Sequence, residues 1–191
     1  VNSILPFCAS AKTSEHNFVF LEGVKAALCA DQNYNEGNYT SPPVKGLKAF
    51  ARVYAGWAFS QNFYRERLYK KIGFNTVNDL LTNWEEDHVQ NWDANNLLAK
   101  LATWQKNDIS SNVIYNNDFK KALKSISART ILIPCKQDLY FRFEDNVIES
   151  QYITNSELRP YDSSFGHCVA NPGNDKNFEL ALDNAINELI N

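Results

Sequence analysis

Apolar positions recur along this chain with different periods, and the change of period divides it. Residues 1–11, VNSILPFCASA, are a short, mostly apolar run that reads as a strand, with Pro6 marking a strand end or an edge. From Ser14, a candidate N-cap, the residues Phe18, Leu21, Val24, Ala27 and Leu28 return at helical spacing and predict a helix to about residue 30. The Asn, Gly and Pro content of 33–43 predicts a loop. Pro42 and Pro43 then suit the entry to a helix striped by Leu47, Phe50, Ala51, Tyr54, Trp57 and Ala58. Thr76 and Asp79 stand at capping-box spacing ahead of Leu80, Leu81 and Trp84. Ala94, Leu97, Leu98, Leu101 and Trp104 mark a further helix, and no strand signal interrupts this aromatic-rich helical block.

Near residue 118 the pattern changes. NDFKKALKSISA reads as a short amphipathic helix and RTILIPCKQD as an apolar strand ending in polar residues. FEDNVIESQYI predicts a helix, SELRPYDS a strand, and NDKNFELALDNAINELIN a closing helix that buries Phe178, Leu182, Ala185, Ile186 and Leu189. Strands alternating with helices predict an α/β fold with parallel pairing. The order is strand, helical insertion, strand, helix, strand, helix.

Composition changes the picture in a few places. With 44% hydrophobic and 13% aromatic content, 191 residues can fill one core. A net charge of −3, with Lys and Arg scattered, provides no footprint for nucleic acid or an anionic membrane. No apolar run approaches the roughly 20 residues needed to span a bilayer, and no secretory leader pattern opens the chain, so a cytoplasmic location is expected. The four cysteines lack C-x-x-C spacing and lie in apolar segments, which predicts buried free thiols. No metal-ligand cluster or Gly-rich phosphate loop is present in the sequence. The chain starts with Val and has no Met, which leads to the expectation that it is a piece of a longer protein.

In a parallel sheet the carboxyl ends of the strands open onto the ligand crevice. Asp138 follows the strand predicted at 130–135, and His167 follows the one at 157–162. An acid with a histidine 29 residues later fits the Ser, acid, His chain order of the α/β-hydrolase triad. In that arrangement His167 is the general base and Asp138 orients it. The alternative is a loop histidine capping the following segment. His16 and His88 lie on predicted helices and read as solvated or core residues, and Glu85, Glu86 and Asp87 as a solvated helix end. The elbow motif G-x-S-x-G is absent, and neither Ser60 nor Ser163 has its strand-to-helix context. Either the chemistry is not that of a triad, or the nucleophile lies upstream of Val1.

Several segments in order resemble the homoserine O-acetyltransferase family of α/β-hydrolases. They are ADQNYNEGNY (30–39), PVKGLKAFAR (43–52), NWDANNLLAKLATWQKNDIS (91–110), ILIPCKQDLYF (131–141) and DSSFGHC (162–168). The resemblance implies the C-terminal part of an α/β-hydrolase sheet, strands six to eight, with an inserted helical lid. Residues 1–11 and 118–191 would belong to the core and 12–117 to the lid, with the N-terminal core and its nucleophile elbow absent. It also implies triad roles for Asp138 and His167, and a serine that passes an acetyl group from acetyl-CoA to a hydroxyl, with no bound cofactor or metal. Asn91 stands where the family has Arg, which removes a guanidinium suited to a carboxylate. Cys168 replaces the Asp that follows the family's histidine, and Arg142 replaces a Pro.

Trp57, Trp84, Trp92 and Trp104 would make a wide aromatic lid. Trp92 and Asp93 are candidate substrate contacts, set against lid packing for the tryptophan and a helix N-cap for the aspartate. The resulting expectation is an acyltransferase when full length, acting on a small acyl donor and an alcohol acceptor and inactive as this chain alone. The alternatives are an esterase, with water as acceptor, and a non-catalytic binding module. A homodimer through the lid helices is also expected.

Overall fold

In a computed structural model that describes residues 1–190, the chain runs β1 (Ser3–Ile4), α1 (Glu15–Cys29), α2 (Val44–Ala58), α3 (Gln61–Arg65), α4 (Val77–Asn91), α5 (Ala94–Gln105), α6 (Phe119–Lys124), β2 (Arg129–Leu132), α7 (Phe143–Tyr152), β3 (Ser156–Leu158) and α8 (Lys176–Ile190). The chain divides into two compact units. One comprises Val1–Lys12, Ala58–Glu66 and Asp108 onward; the other comprises Thr13–Trp57 and Arg67–Asn107.

The first unit holds a parallel sheet in the order β1-β2-β3, with Ser3 opposite Arg129, Thr130 opposite Ser156 and Leu132 opposite Leu158. The parallel sheet and its crossover helices match the sequence expectation. The strands are shorter than the apolar runs, and proline explains it. Pro6, Pro134 and Pro160 lack the backbone N–H that a ladder needs. Pairing resumes beyond them as the bridges Phe7 to Ile133 and Cys135 to Tyr161, with Pro6 and Pro134 accepting through their carbonyls from Ile133 N and Tyr161 N. Alternation along β2 and its extension separates two cores. Ile131, Ile133 and Cys135 pack with Cys8, Val169, Phe178 and Ala185 on one face, while Leu132 packs with Leu123 and Ile153 on the other.

Two stretches that the sequence places in the lid, 58–66 and 108–117, belong to the sheet unit. Ile109 joins the Leu132 cluster beside Ala11, and Phe63 meets Phe165 at 5.6 Å.

The second unit is a helical block closed by aromatic contacts. Phe20 lies 4.7 Å from Trp57 and 5.6 Å from Tyr54, Phe50 stacks on Tyr54 at 5.4 Å, and Trp84 packs against Tyr54 and His88. The capping box of Thr76 and Asp79 is formed, and Asp93 caps α5 by accepting from Asn96 N. Four details differ from the sequence reading. Phe20 faces inward on α1 while Phe18 is exposed, Ile186 on α8 is exposed, and Cys29 is the exposed thiol of the four. Glu85 is buried rather than solvated, because Arg52 and Lys48 on α2 reach its carboxylate. Among the described residues no helix is long and apolar enough to cross a membrane.

Candidate active site

The extension of β2 ends with Lys136 N donating to Tyr161 O, and the chain then turns. Asp138 holds the turn. Its Oδ1 accepts from Tyr140 N at 2.7 Å and from Phe141 N at 3.1 Å, an Asx turn in which one carboxylate oxygen anchors two backbone donors. The side chain is fully buried, and its other oxygen, Oδ2, lies 2.9 Å from Nδ1 of His167. An ionised carboxylate only accepts hydrogen bonds, so the geometry assigns the ring proton to Nδ1 and leaves the lone pair of the neutral ring on Nε2.

His167 arrives from β3. Gly166, with φ +61°, opens a 3-10 turn over Gly166–Ala170. That positive φ favours glycine, because a Cβ in the left-handed region meets the backbone. Tyr140 and Phe141 set their rings 4.9 and 5.4 Å from the imidazole, and the histidine side chain is 31% exposed. Among the described residues Nε2 has no hydrogen-bond partner. The structure thus brings Asp138 and His167 together as a hydrogen-bonded pair that fixes the orientation of the imidazole.

Nucleophiles near this pair are committed elsewhere. Ser60 donates to Ser164 O at 2.6 Å and accepts from Phe63 N, while Ser163 donates to Asp175 at 3.1 Å and accepts from Phe165 N. Burial and the nearby Asp138 carboxylate push the Cys168 thiol up to about 12, and burial pushes Cys135 up to about 11. Neither thiol supplies a thiolate near neutral pH. Among the described residues, no three or more His, Cys, Asp or Glu side chains gather as a metal-ligand set.

Trp92 and Asp93 belong to the second unit. Both carboxylate oxygens of Asp93 are used, one capping α5 and the other accepting from Tyr39 Oη. Trp92 carries Lys100 over its ring at 4.0 Å and donates to Asp87. With Tyr39, Pro42, Pro43 and Leu47 they line a cavity of about 310 Å³. His88 is buried against Trp84 O, and burial holds its pKa below the ordinary value.

Sequence reasoning weighs Ser60 only as a nucleophile and misses Asn62 and Gln137 beside the pair. Asn62 Nδ2 donates to Gln137 Oε1 at 3.0 Å, and Gln137 Nε2 donates to Asp162 at 2.7 Å. A Ser followed three residues on by an apolar helix position is an N-cap signal that picks out Ser60, but nothing local says what else its hydroxyl touches.

No family model matches the sequence. Ethyl acetate hydrolase of Pseudomonas veronii is 31% identical over 183 residues, 95% of this chain and 52% of that protein. Homoserine O-acetyltransferase of Chloroherpeton thalassium is 27% identical over 173 residues, 87% of this chain and 45% of the relative. The crystal structure of the acetyl esterase MekB superposes with a TM-score of 0.93 at 30% identity, covering 99% of this chain and 55% of its own. The chain spans about half the length of the curated relatives it matches. It is thus homologous to both esterases and homoserine O-acetyltransferases, and its structural neighbours are members of the α/β-hydrolase fold.

Proposed function

We propose that this chain carries the acid and base of an acyl-transfer enzyme and that the acyl group ends on water, making the protein a short-chain ester hydrolase. The observation that carries the reading is the 2.9 Å contact between His167 Nδ1 and a fully buried Asp138 whose other oxygen is anchored by two backbone N–H groups. In this reading Nε2 of His167 takes the proton of a serine hydroxyl as its oxygen attacks the ester carbonyl. The imidazolium, stabilised by Asp138, returns that proton to the departing alkoxide. Water then attacks the acyl-serine, His167 takes its proton, and the serine leaves with it as the carboxylic acid is released. The serine is supplied by the rest of the protein, since Ser60, Ser163 and the nearby thiols are engaged or protonated.

Water as acceptor is supported by the ethyl acetate hydrolase relative, 31% identical over 95% of this chain, beside 27% over 87% for the acetyltransferase. Asn91, where the resemblance has Arg, donates its amide to Asp87 at 2.8 Å and provides no cation for an amino-acid carboxylate. A second reading, transfer from acetyl-CoA to a hydroxyl acceptor, is supported by the acetyltransferase relatives. One experiment separates the two. The protein at its natural length is given a short-chain ester with and without homoserine, and an acetyl-CoA sample in parallel. Acetate from the ester, unaffected by homoserine, is the expected result; O-acetylhomoserine from acetyl-CoA selects the second reading. His167→Ala should abolish the acyl-enzyme burst, and an undiminished burst overturns both.

A further inference from the structure

We infer that Ser60 is a positioning residue for His167: its hydroxyl ties the loop that delivers the base to α3, the short helix that also touches the loop of the acid. The inference rests on His167 acting as base, as proposed above.

Ser60 is 2% exposed and its hydroxyl is used twice. It accepts from Phe63 N at 3.1 Å, capping α3, and donates its single proton at 2.6 Å to Ser164 O, three residues before His167. The approach is close along the whole segment. A Cβ built on Gly166 would lie 2.7 Å from Ser60 N, 3.1 Å from the Phe59 carbonyl carbon and 3.2 Å from Gln137 O. Backbone 59–60 therefore runs flush against the residue that precedes the base, and the carbonyl of the residue that precedes Asp138 approaches the same point. Asn62, the second residue of the same helix, donates to Gln137, and Gln137 donates on to Asp162. Hydrogen bonds thus link α3 to both loops: Asn62 reaches the acid loop through Gln137, and the Ser60 hydroxyl reaches the backbone of the base loop at Ser164 O.

The loop keeps other support without Ser60. Ser163 remains bonded to Asp175 and Phe165 N, and Gly166 N to Ser163 O. Loss of the tether should therefore loosen the register of His167 against Asp138 rather than unfold the loop. A displacement of about 1 Å at a catalytic group costs on the order of a hundredfold in rate. Capping and tethering can be told apart by substitution: Gly is nearly as good an N-cap as Ser, whereas Ala is poor, and neither carries a hydroxyl.

The test uses the protein at its natural length, labelled with ¹⁵N-histidine, as wild type, Ser60→Ala, Ser60→Gly and Ser60→Thr. The Nδ1–H resonance of His167, assigned by its loss in His167→Gln, reports the bond to Asp138 whether or not the protein turns over. Tethering predicts that both Ala and Gly variants shift or broaden that resonance and lower ester kcat by roughly tenfold to a hundredfold at little-changed KM, and that Thr restores both. Thermal melts identify folded variants, and the Gly variant carries the test if the Ala variant is unfolded. A resonance unchanged in the folded Gly variant overturns the role of Ser60, even if His167 proves to be the base. Ester turnover that survives His167→Ala overturns the reading of the base instead, and leaves the resonance to judge the tether.

Discussion

Asp138→Asn changes almost nothing in volume and reverses what one atom can do. The amide oxygen must occupy the place of Oδ1, because turning the group would aim an NH₂ at the backbone N–H groups of Tyr140 and Phe141. That flip would leave two buried donors unpaired, at about 1–3 kcal/mol each. The amide nitrogen therefore replaces Oδ2, 2.9 Å from Nδ1 of His167, where it can only donate. The imidazole answers by accepting at Nδ1 and carrying its proton on Nε2, the tautomer that cannot take a proton from a hydroxyl. The loss expected from holding the wrong tautomer, with the imidazolium no longer stabilised, is about 10⁴-fold in kcat, or roughly 5–6 kcal/mol of transition-state stabilisation. The assay is steady-state hydrolysis of a short-chain ester by the protein at its natural length, with His167→Ala alongside. Asp138→Asn should approach the His167→Ala rate while keeping a cooperative melt, since the two backbone bonds persist. A kcat within about tenfold of wild type would refute the assignment of Nδ1–H to the carboxylate and with it the role of the pair.

Two further outcomes follow from the same region. Gly166→Ala places a Cβ at φ +61° and within 2.7 Å of Ser60 N, so it should cost more than about 1–2 kcal/mol in urea unfolding and lower kcat as well; a neutral variant would contradict the close approach. Thiol chemistry should sort the cysteines: burial raises the pKa of Cys8, Cys135 and Cys168, so their thiolate fraction at pH 8 is small and their sulfurs are covered, whereas Cys29 is exposed. Iodoacetamide at pH 8 followed by peptide mass mapping should find Cys29 modified first and the other three only after denaturation; early modification of Cys168 would show that the thiol beside His167 is active.

How much of this was legible depended on whether the determining partner lay nearby in sequence. Asp138 and His167 could be found because each follows an apolar run ending a strand, one as an Asx turn and the other behind a glycine, and chain order supplied the pairing across 29 residues. The capping box at Thr76 and the cap at Asp93 were readable for the same reason, since cap and partner are three residues apart. Strand ends were overrun because Pro6, Pro134 and Pro160 interrupt the ladder while their neighbours stay apolar. Glu85 could not be read, because a Glu-Glu-Asp run looks solvated until Arg52, 33 residues away, is folded against it. Ser60 is the sharper case. Its cap is local and its second bond crosses 104 residues, so the pattern identifies a helix start and conceals that the same hydroxyl reaches the base loop. A side chain with one local and one distant partner is read as structural from sequence, and only the fold reveals that breaking the local role and breaking the distant one are separate experiments.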